Sequence, residues 1–400
     1  MTTILAFIFV LGVIVIIHEL GHFFAARSVG VRVDRFSIGF PPRLFTVNSI
    51  NGGFEINLFF YKKNDLDKIS WDIIKTWNIN IPERKGSGTE YCFAIVPLGG
   101  YVKLAGMIDE SMDGTIKNEP YELMSKPVWA QIWVMSAGVI MNILLAFVIF
   151  TSLAWYQGVP TSENKPVIYS VEEDSPAKNA NLLPGDKIIK VIVCTHCLNS
   201  CNYNINTWSD LSSTIHKLPN KPIKITYVRE GRESSMDINT TFRVFPIDGK
   251  LDTLGMIGIA PELFYEPIGI IRASQLGVAS TLGGLGLVVL SIKLLISGQA
   301  SVTDLGGPIL IAQIAGETAR AGLISFFGFM AIISCNLAFI NFLPVPGLDG
   351  GHVFIILAES ILRRKFTLKT RMIIQQIGMA FLLLLMATVM INDIGRLFTN

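Results

Sequence analysis

The pattern that most constrains this chain is His-Glu-Leu-Gly-His at His18–His22, which closes an apolar segment. The run Ile4–Ile17 contains only apolar residues and glycine, and with its continuation it can cross a bilayer as a helix of ~20 residues. Histidines four residues apart share one face of a helix, so both imidazoles can reach one metal ion. Glu19 lies beside them, placed to take a proton from water that the metal activates. The alternative is a chance pattern whose histidines only reach toward the membrane interface.

Composition supports a membrane location for this segment. Of the 400 residues, 50% are hydrophobic and 16% are charged, and the mean hydropathy is +0.49. These values are typical of a protein with several membrane spans and a soluble part. The formal net charge of +2 gives no sign of a nucleic-acid partner. Since the apolar segment has no basic residue before it and carries His and Glu, we expect a retained span rather than a cleaved signal peptide.

The hydropathy pattern predicts a polytopic α-helical membrane protein of about four transmembrane helices, with a membrane-associated β region and one soluble extracytoplasmic domain. Within the β region, residues 91–104 read as two short strands about a turn at Gly99-Gly100. In the soluble domain, short strands with two helices suggest a small β-barrel. The predicted order is a first span (1–27), the β region with an insertion (28–127), a second span (128–157), the soluble domain (158–264), an interfacial or re-entrant segment (265–321), a third span (322–350), a cytoplasmic connector (351–371) and a fourth span with the C-terminus (372–400).

Basic residues set the expected orientation in the membrane. Arg27, Arg32 and Arg35 follow the first span, whereas residues 1–3 carry no Lys or Arg. The positive-inside rule therefore places the β region in the cytoplasm and the N-terminus outside, with the soluble domain extracytoplasmic. A crossing within 265–321 would bring the end of the third span to the wrong side of the membrane. We therefore expect that segment to be interfacial or re-entrant.

A catalytic zinc needs a third protein ligand besides two histidines, and an open position. The best candidate is Asp349, in the Leu-Asp-Gly-Gly sequence at the end of the third span. Pro344 and Pro346 are expected to end that helix, and the glycines let the backbone turn, so the carboxylate can point at an ion. Two alternatives stay open: Asp349 caps the next helix, or His352 is the ligand.

Two further features carry weaker expectations. Gly138 and Asn142 share a face of the second span, where the glycine allows close helix packing and the amide seeks a hydrogen bond from a neighbouring helix. The strand edge at Gly99 and Gly100 could pair with an extended peptide, or belong to a small sheet with no substrate role.

The five cysteines do not form a disulfide framework, because their number is odd and their spacing uneven. Three of them, Cys194, Cys197 and Cys201, could form a second metal site. They lack a properly spaced second ligand pair, which favours a surface loop insertion.

Taken together, these residues resemble the site-2 proteases, and most closely the bacterial regulator-of-sigma-E protease group, over nearly the whole chain. His18–His22 matches the family's zinc-binding motif, and Leu348–Gly350, preceded by Asn341, Pro344 and Pro346, matches its third-span motif. The two motifs together are highly specific. The resemblance implies one Zn²⁺ per chain in a bacterial inner-membrane protein. It also implies cleavage of transmembrane protein substrates, usually after another protease has trimmed them.

Other stretches extend the resemblance. Residues 174–188 look like part of a PDZ domain, residues 97–103 resemble a stretch that clasps substrate, and the Gly-Asn pair of the second span matches a family motif. There are departures: only one PDZ-like domain is evident, Asn181 stands where Gly is usual, and residues 61–88 look like an insertion. These bear on substrate selection more than on chemistry.

The expected function is that of a zinc endopeptidase in which His18, His22 and Asp349 hold the metal and Glu19 is the general base. Asn341 is expected to hold the peptide or to stabilise the oxyanion. A substrate helix must unwind before it is cut, because its carbonyls are engaged in hydrogen bonds. The alternatives are a catalytically silent membrane adaptor bearing the PDZ-like domain and a metal transporter, for which the apolar fourth span offers no polar path.

Overall fold

The computed structural model of the protein describes residues 2–63, 69–107, 119–195, 199–247, 250–301 and 305–399. The helices are α1 (Thr2–Ser28), α2 (Val128–Gln157), α3 (Pro176–Asn179), α4 (Trp208–His216), α5 (Ile270–Ile296), α6 (Pro308–Ala321), α7 (Leu323–Phe342), α8 (Asp349–Leu362) and α9 (Leu368–Thr399). The strands are β1 (Val33–Ile50), β2 (Gly53–Lys63), β3 (Ile69–Asn80), β4 (Glu90–Leu104), β5 (Val159–Ser162), β6 (Ser170–Val171), β7 (Lys187–Thr195), β8 (Asn199–Asn204), β9 (Pro222–Arg229), β10 (Arg232–Asn239), β11 (Thr241–Ile247), β12 (Lys250–Met256), β13 (Ile259–Ala260) and β14 (Leu263–Glu266). The chain divides into two compact units, one of Met1–Leu153 with Leu276–Asn400 and one of Ala154–Gln275.

Among the described residues, five helices are long and apolar enough to cross a membrane: α1, α2, α5, α7 and α9. Four of them coincide with the predicted spans. The fifth, α5, is a continuous helix of 27 residues inside the segment 265–321. By length and composition, five helices could therefore cross a membrane, one more than the four spans predicted. The predicted connector 351–371 is largely helical, because α8 occupies its first half.

The first two spans pack against each other along one face of α1. Ile14, His18 and His22 are buried there at four-residue spacing. Val134 contacts His22 and Asn142 contacts His18, so α2 runs antiparallel to α1. The four-residue spacing that the motif imposes is thus also the spacing of the helix contact.

The third span ends where its prolines predicted. Helix α7 ends at Phe342, and α8 begins at Asp349. Pro344 restricts the preceding residue, Leu343, which has an extended backbone with φ −63° and ψ 143°. The N-cap position of α8 is Leu348, and no side chain caps this helix. The structure therefore does not support a capping role for Asp349.

The β region of the first unit is an antiparallel sheet with strand order β3-β2-β1-β4. Strand β1 bends at Gly39, where φ is 88°. Its second half pairs with residues 90–94 of β4, and its first half pairs with both residues 90–93 and residues 100–104 of that strand. Strand β4 is continuous, which corrects the prediction of two strands about a Gly99-Gly100 turn. The physical reason is steric: a Cβ on Gly100 would lie 2.5 Å from the Ser37 carbonyl oxygen, so the glycine allows close strand approach rather than a turn.

The second unit contains a sheet of strand order β10-β9-β7-β8, together with α3 and α4. Its core includes Ile188, Val191 and Ile225, none of which is exposed. Helix α4 begins with a capping box, in which Thr207 and Asp210 each accept a backbone hydrogen bond from the other. The two helices expected in this domain are α3 and α4, and β9 is one of its expected short strands.

Two local sequence features of the second unit have different outcomes. Asn181 has φ 60°, a left-handed conformation that Asn tolerates better than most residues, so it can take the place of the usual glycine. Cys201 is an exposed free thiol. The side chains of Cys194 and Cys197 lie outside the described residues, so a second metal site there stays an untested prediction.

Candidate metal centre

Three potential ligand atoms from distant parts of the chain meet at one point. The Nε2 atom of His18 lies 3.0 Å from Oδ2 of Asp349, and the Nε2 atom of His22 lies 3.3 Å from the same oxygen. The two Nε2 atoms are 3.2 Å apart. Helix α1 supplies the two imidazoles from consecutive turns, and the start of α8 supplies the carboxylate. Among the described residues, these three side chains form the group that could hold a metal ion.

The donor set fits zinc. Zn²⁺ with ligand bonds of ~2.0–2.1 Å in a tetrahedron separates its ligand atoms by about 3.3 Å, close to the three observed separations. All three atoms face one another, and Oδ2 of Asp349 is buried with no hydrogen-bond partner. Such an arrangement of lone pairs is unfavourable unless protons or a cation lie between them. Two imidazoles and one carboxylate are also the ligands of known hydrolytic zinc sites.

Each imidazole has a second partner on its other nitrogen. The Nδ1 atom of His22 lies 2.8 Å from the carbonyl oxygen of Val134, to which it donates a hydrogen bond. The Nδ1 atom of His18 lies 3.3 Å from the side-chain amide of Asn142. A proton on Nδ1 leaves Nε2 free as a metal ligand. The Val134 contact thus favours the tautomer of His22 that metal binding requires, and the Asn142 amide favours the same tautomer of His18 when its oxygen is turned toward Nδ1.

Gly138 on α2 lies directly against the two imidazoles. A Cβ at this position would come within 2.5 Å of Nε2 of His22 and 2.6 Å of Nε2 of His18. Any side chain would therefore push against the proposed ligand atoms themselves. Glycine here does more than allow the two helices to pack, which was the role expected from the sequence.

A cavity of about 600 Å³ opens beside the three side chains. Glu19 lines it and is half-buried, so the proposed general base shares this space with the proposed ligands. Asn341 and Gly100, two of the residues predicted to contact substrate, line it too. The second half of β4 forms one wall, and the loop after α7 forms another.

Other predicted substrate residues lie elsewhere. Gly99, Pro344 and Pro346 are not among the described residues that line this cavity. Pro346 packs against α9 at Gly378, where an added Cβ would overlap its carbonyl oxygen. Asn142 is fully buried behind His18, so it is placed to orient the imidazole and not to touch substrate.

His352 was the rival third ligand. It lines the cavity, but it is absent from the described cluster of potential ligands. Its Nε2 atom lies 3.2 Å from the side-chain amide nitrogen of Gln375 on α9. The structure therefore assigns it to the contact between α8 and α9.

The sequence did not predict that Arg35 would lie at the cavity; it indicated only a role of this residue in setting the membrane orientation. Arg35 lines the cavity, where its guanidinium donates hydrogen bonds to Glu90 and, at 3.2 Å, to the Tyr101 hydroxyl. Burial lowers the pKa of Arg35, but the hydrogen bonds to Tyr101 and Glu90 outweigh burial and leave the pKa raised. The cavity thus has a permanent cation on its wall. No short motif marks such a residue, because its place depends on the strand register.

Comparison of the sequence with known proteins identifies a peptidase family and several similar bacterial proteins. The chain matches the sequence profile of Peptidase family M50 over residues 6–62 and 75–385. It is 27% identical over 441 aligned residues to the regulator of sigma-W protease RasP of Bacillus subtilis, covering 99% of each chain. It is 29% identical over 440 residues to the zinc metalloprotease RasP of Bacillus licheniformis, covering 100% of each. A Clostridium acetobutylicum protein, provisionally named a zinc metalloprotease, is 30% identical over 383 residues, which are 96% of this chain and 94% of that protein.

Proposed function

The chain belongs to peptidase family M50 and is a zinc metalloprotease, and on that premise we propose that it cuts its substrates within the membrane, with His18, His22 and Asp349 as zinc ligands and Glu19 as general base. The resemblance to site-2 proteases is confirmed at the level of the family. The observation that carries the proposal is the convergence of the three side chains beside a cavity that Glu19 lines. Since α1 and α7 are both apolar enough to span a bilayer, the reacting bond would lie at membrane depth.

The chemistry divides between metal and protein. When bound, zinc polarises the scissile carbonyl and makes water acidic enough to attack near neutral pH. The carboxylate of Glu19 accepts the proton of the attacking water and returns it to the leaving nitrogen. The Val134 carbonyl holds the His22 imidazole in the tautomer that presents Nε2, and the Asn142 amide would hold His18 in the same way with its oxygen turned toward Nδ1. Asn341, on the cavity wall, holds the substrate peptide or donates to the developing oxyanion.

The substrate is proposed to bind in an extended form. Strand β4 lies at the edge of its sheet, and Gly100 and its neighbours on that strand line the cavity. An extended peptide can add to such an edge through main-chain hydrogen bonds, with its scissile carbonyl directed at the ligands. A substrate helix would unwind to do so, because its own carbonyls are otherwise occupied.

The chain is a multi-pass protein of the inner membrane, and its orientation is part of the proposal. The ligands of α1 and α8 share one level, so the chain between them crosses an even number of times. The helices α2 and α7 supply two crossings. If α5 also crossed, a fourth crossing would be needed to keep the number even. The remaining helix of the first unit in this stretch, α6, has 14 residues and is too short for ~30 Å of hydrocarbon. We therefore keep four spans, with α5 interfacial or re-entrant, the N-terminus and the second unit extracytoplasmic and the active site near the cytoplasmic side.

The substrates are membrane proteins, and we propose that another protease trims them first, as for anti-sigma factors or signal-peptide remnants. The name of the Bacillus subtilis relative, a regulator of sigma-W protease, supports this direction. The second unit, which we assign to a PDZ-like domain, would select trimmed ends or exclude bulky ones. Its four-stranded sheet with helices α3 and α4 is compatible with that assignment.

The test is Glu19→Gln in the full chain, reconstituted in membranes with a transmembrane test substrate. We expect cleavage to fall by about 10²–10⁴-fold, as is usual when a general base is lost, with one zinc per chain retained. Cleavage at the wild-type rate would reject Glu19 as the base. In the matched variant Asp349→Ala the bound zinc should be lost, which would rule out a silent adaptor that needs no metal. Zinc retained in this variant would reject His18, His22 and Asp349 as the ligand set.

A further inference from the structure

The hairpin formed by β2 and β3 carries a set of apolar side chains that the protease site does not use. Its outer end, here called the hairpin end, consists of Phe60, Tyr61, Trp71, Ile73 and Ile74. Residues 63–74 fall in the gap of the family match, so this part of the chain is additional to what the family shares. Phe60 is 55% exposed, Tyr61 63% and Ile74 47%. Exposed groups of large apolar side chains mark sites of contact with a protein or a membrane.

The first half of β1 runs back along α1 into the apolar segment. Phe36 packs on Phe23, with ring centroids 5.5 Å apart. Further along the sheet, Gly100 lies beside Glu19, and the bend after Gly39 brings Phe40 to the cavity wall that Val15 also lines. The contacts on α1 thus move from Phe23 to Glu19, toward its apolar middle. The bend of β1 lies at membrane depth if α1 spans the bilayer.

The hairpin end lies at the same end of the sheet as the bend of β1. Strand β1 leaves the bend and pairs with β2 in the register Phe45 with Leu58 and Ile50 with Gly53. Residues of β2 beyond Leu58 therefore lie level with the residues of β1 that precede Phe45. A direct contact agrees with this register, because the indole Nε1 of Trp71 donates to the carbonyl oxygen of Arg43 at 2.7 Å.

Side-chain chemistry changes along the hairpin in the same direction. A bulge lies between the pairs of Leu58 and Phe59, opposite Ile74, and it shifts the strand alternation by one residue. On the inner side of the bulge, polar side chains such as Asn57, Thr76 and Asn78 occupy one face. Beyond the bulge this face becomes apolar, with Phe59 opposite Ile73 and Tyr61 opposite Trp71, whereas the other face carries Phe60 opposite Asp72. Apolar side chains on one face and charged ones on the other suit an interfacial position, where the first enter the acyl chains and the second reach the headgroups.

The aromatic residue types indicate which part of the bilayer the hairpin end would contact. Tyr61 and Trp71 pack edge to face at 4.9 Å, and Phe60 lies 5.7 Å from Trp71. The charged groups among the described residues here, Lys62 and Asp72, are exposed. Trp, Tyr and Lys with their polar ends in water are typical of the boundary between headgroups and acyl chains, and Lys there favours anionic lipids.

We propose that the hairpin end is a membrane-interface anchor: its five side chains insert into the boundary between headgroups and acyl chains of the bilayer that α1 crosses. The occupant of this surface is lipid. The anchor would hold the sheet, and with it the edge strand β4, at a constant depth beside the cavity. This inference depends on α1 spanning the membrane and not on the catalytic roles proposed above.

The test is depth measurement by spin labelling of the full chain. A single cysteine is placed at Ile74 (Ile74→Cys) in a chain whose five native cysteines are replaced by serine, and labelled in phosphatidylethanolamine–phosphatidylglycerol vesicles. The matched control is Asn78→Cys on the same strand, about 13 Å away at ~3.3 Å per residue. Power saturation then compares collisions with oxygen, which concentrates in lipid, and with a water-soluble nickel chelate. Tyr61→Cys on β2 serves as a second site should Ile74→Cys not fold.

We expect the ratio of oxygen to nickel accessibility to be several-fold higher at position 74 than at position 78, and likewise at position 61. Equal nickel accessibility at the outer and inner sites would overturn the proposal, because the hairpin end would then lie in water. Protection of position 74 from both reagents would overturn it as well, because a second copy or another protein, and not lipid, would cover the surface. Depth is read directly, so the result does not depend on whether Glu19 acts as the base.

Discussion

The side-chain amide of Asn142 on α2 lies 3.3 Å from Nδ1 of His18 on α1, on the opposite edge of the ring from the proposed metal-binding nitrogen. Asn142 is fully buried, and its Oδ1 atom has no hydrogen-bond partner. If Nε2 of His18 binds zinc, Nδ1 carries the ring proton and needs an acceptor. A half-turn of the amide places Oδ1 opposite Nδ1 and satisfies both atoms. The position of α2 along α1 therefore decides whether Asn142 can fix the tautomer of His18.

The first prediction concerns this contact. Asn142→Ala should weaken zinc binding by about 10–100-fold, because the imidazole loses the acceptor that fixes its orientation. Competition with a chelator of known affinity, carried out on the purified full chain, measures the change. Ser334→Ala is the matched control, since the Ser334 hydroxyl donates to the backbone carbonyl of Asn142 at 2.8 Å and not to its side-chain amide. Equal zinc affinity in Asn142→Ala and wild type would mean that the amide does not support the ligand.

The second prediction concerns the glycine against the ligand pair. Gly138→Ala should abolish stoichiometric zinc and cleavage, because its Cβ would lie 2.5 Å from Nε2 of His22. Metal content per purified chain is the measurement. Gly283→Ala on α5 is the control, since no atom lies within 4 Å of a Cβ added there. A Gly138→Ala protein with one zinc per chain would show that α2 can withdraw from the imidazoles without loss.

The third prediction concerns a buried ion pair that joins α8 to α9. Arg371 donates to both carboxylate oxygens of Glu359, at 3.0 Å and 2.5 Å, and both side chains are largely buried. Removing one partner should cost about 3–5 kcal/mol, because the other charge stays buried and unpaired. Glu359→Gln should therefore lower the thermal unfolding midpoint and release zinc at a lower temperature, since α8 begins at Asp349.

A matched double variant separates charge from shape in this pair. Glu359→Leu with Arg371→Met removes both charges and should recover much of the stability lost in the single variant. If the single variant unfolds at the wild-type temperature, the pair contributes nothing to the placement of α8. If the double variant is as unstable as the single one, the loss comes from packing and not from an unpaired charge.

The fourth prediction is a pH dependence in the second unit. The hydrogen bond with the Thr207 side chain, ahead of those from the backbone amides of Thr207 and Asn206, lowers the pKa of Asp210. A lowered folded-state pKa favours the ionised form, so the stabilisation of α4 is present above the unfolded pKa of about 3.9 and is lost as pH falls through the folded value. Hydrogen exchange of α4 in the full chain, corrected for the intrinsic rate, should show protection falling in that acidic range.

The control for this prediction is Asp210→Asn, which keeps an acceptor but cannot titrate. Its protection in α4 should be lower than that of the wild type above pH ~4 and should not change through the acidic range. A wild-type helix that shows no more pH dependence than this variant would mean that the carboxylate charge does not stabilise the cap.

Local sequence determined the parts of this protein that depend on a few neighbouring residues. Histidines four apart in an apolar run specify two ligand atoms on one helix face, because helical periodicity is a short-range property. Pro344 specifies the end of α7 in the same way, since it removes an amide and restricts its neighbour. Both of these expectations agree with the structure. The start of α4 is local in the same sense, because Thr207 and Asp210, three residues apart, form its capping box.

Only the tertiary structure decided how distant segments meet. The partners of the imidazoles, the carbonyl of Val134 and the amide of Asn142, follow from the depth at which α2 crosses α1, which no local pattern encodes. The same holds for β4, where the glycines that suggest a turn instead permit close pairing with β1. Register and helix depth are set by the sum of many packing contacts over the whole chain. A single stretch of sequence therefore names the groups of the site, whereas the packed fold decides what each group touches.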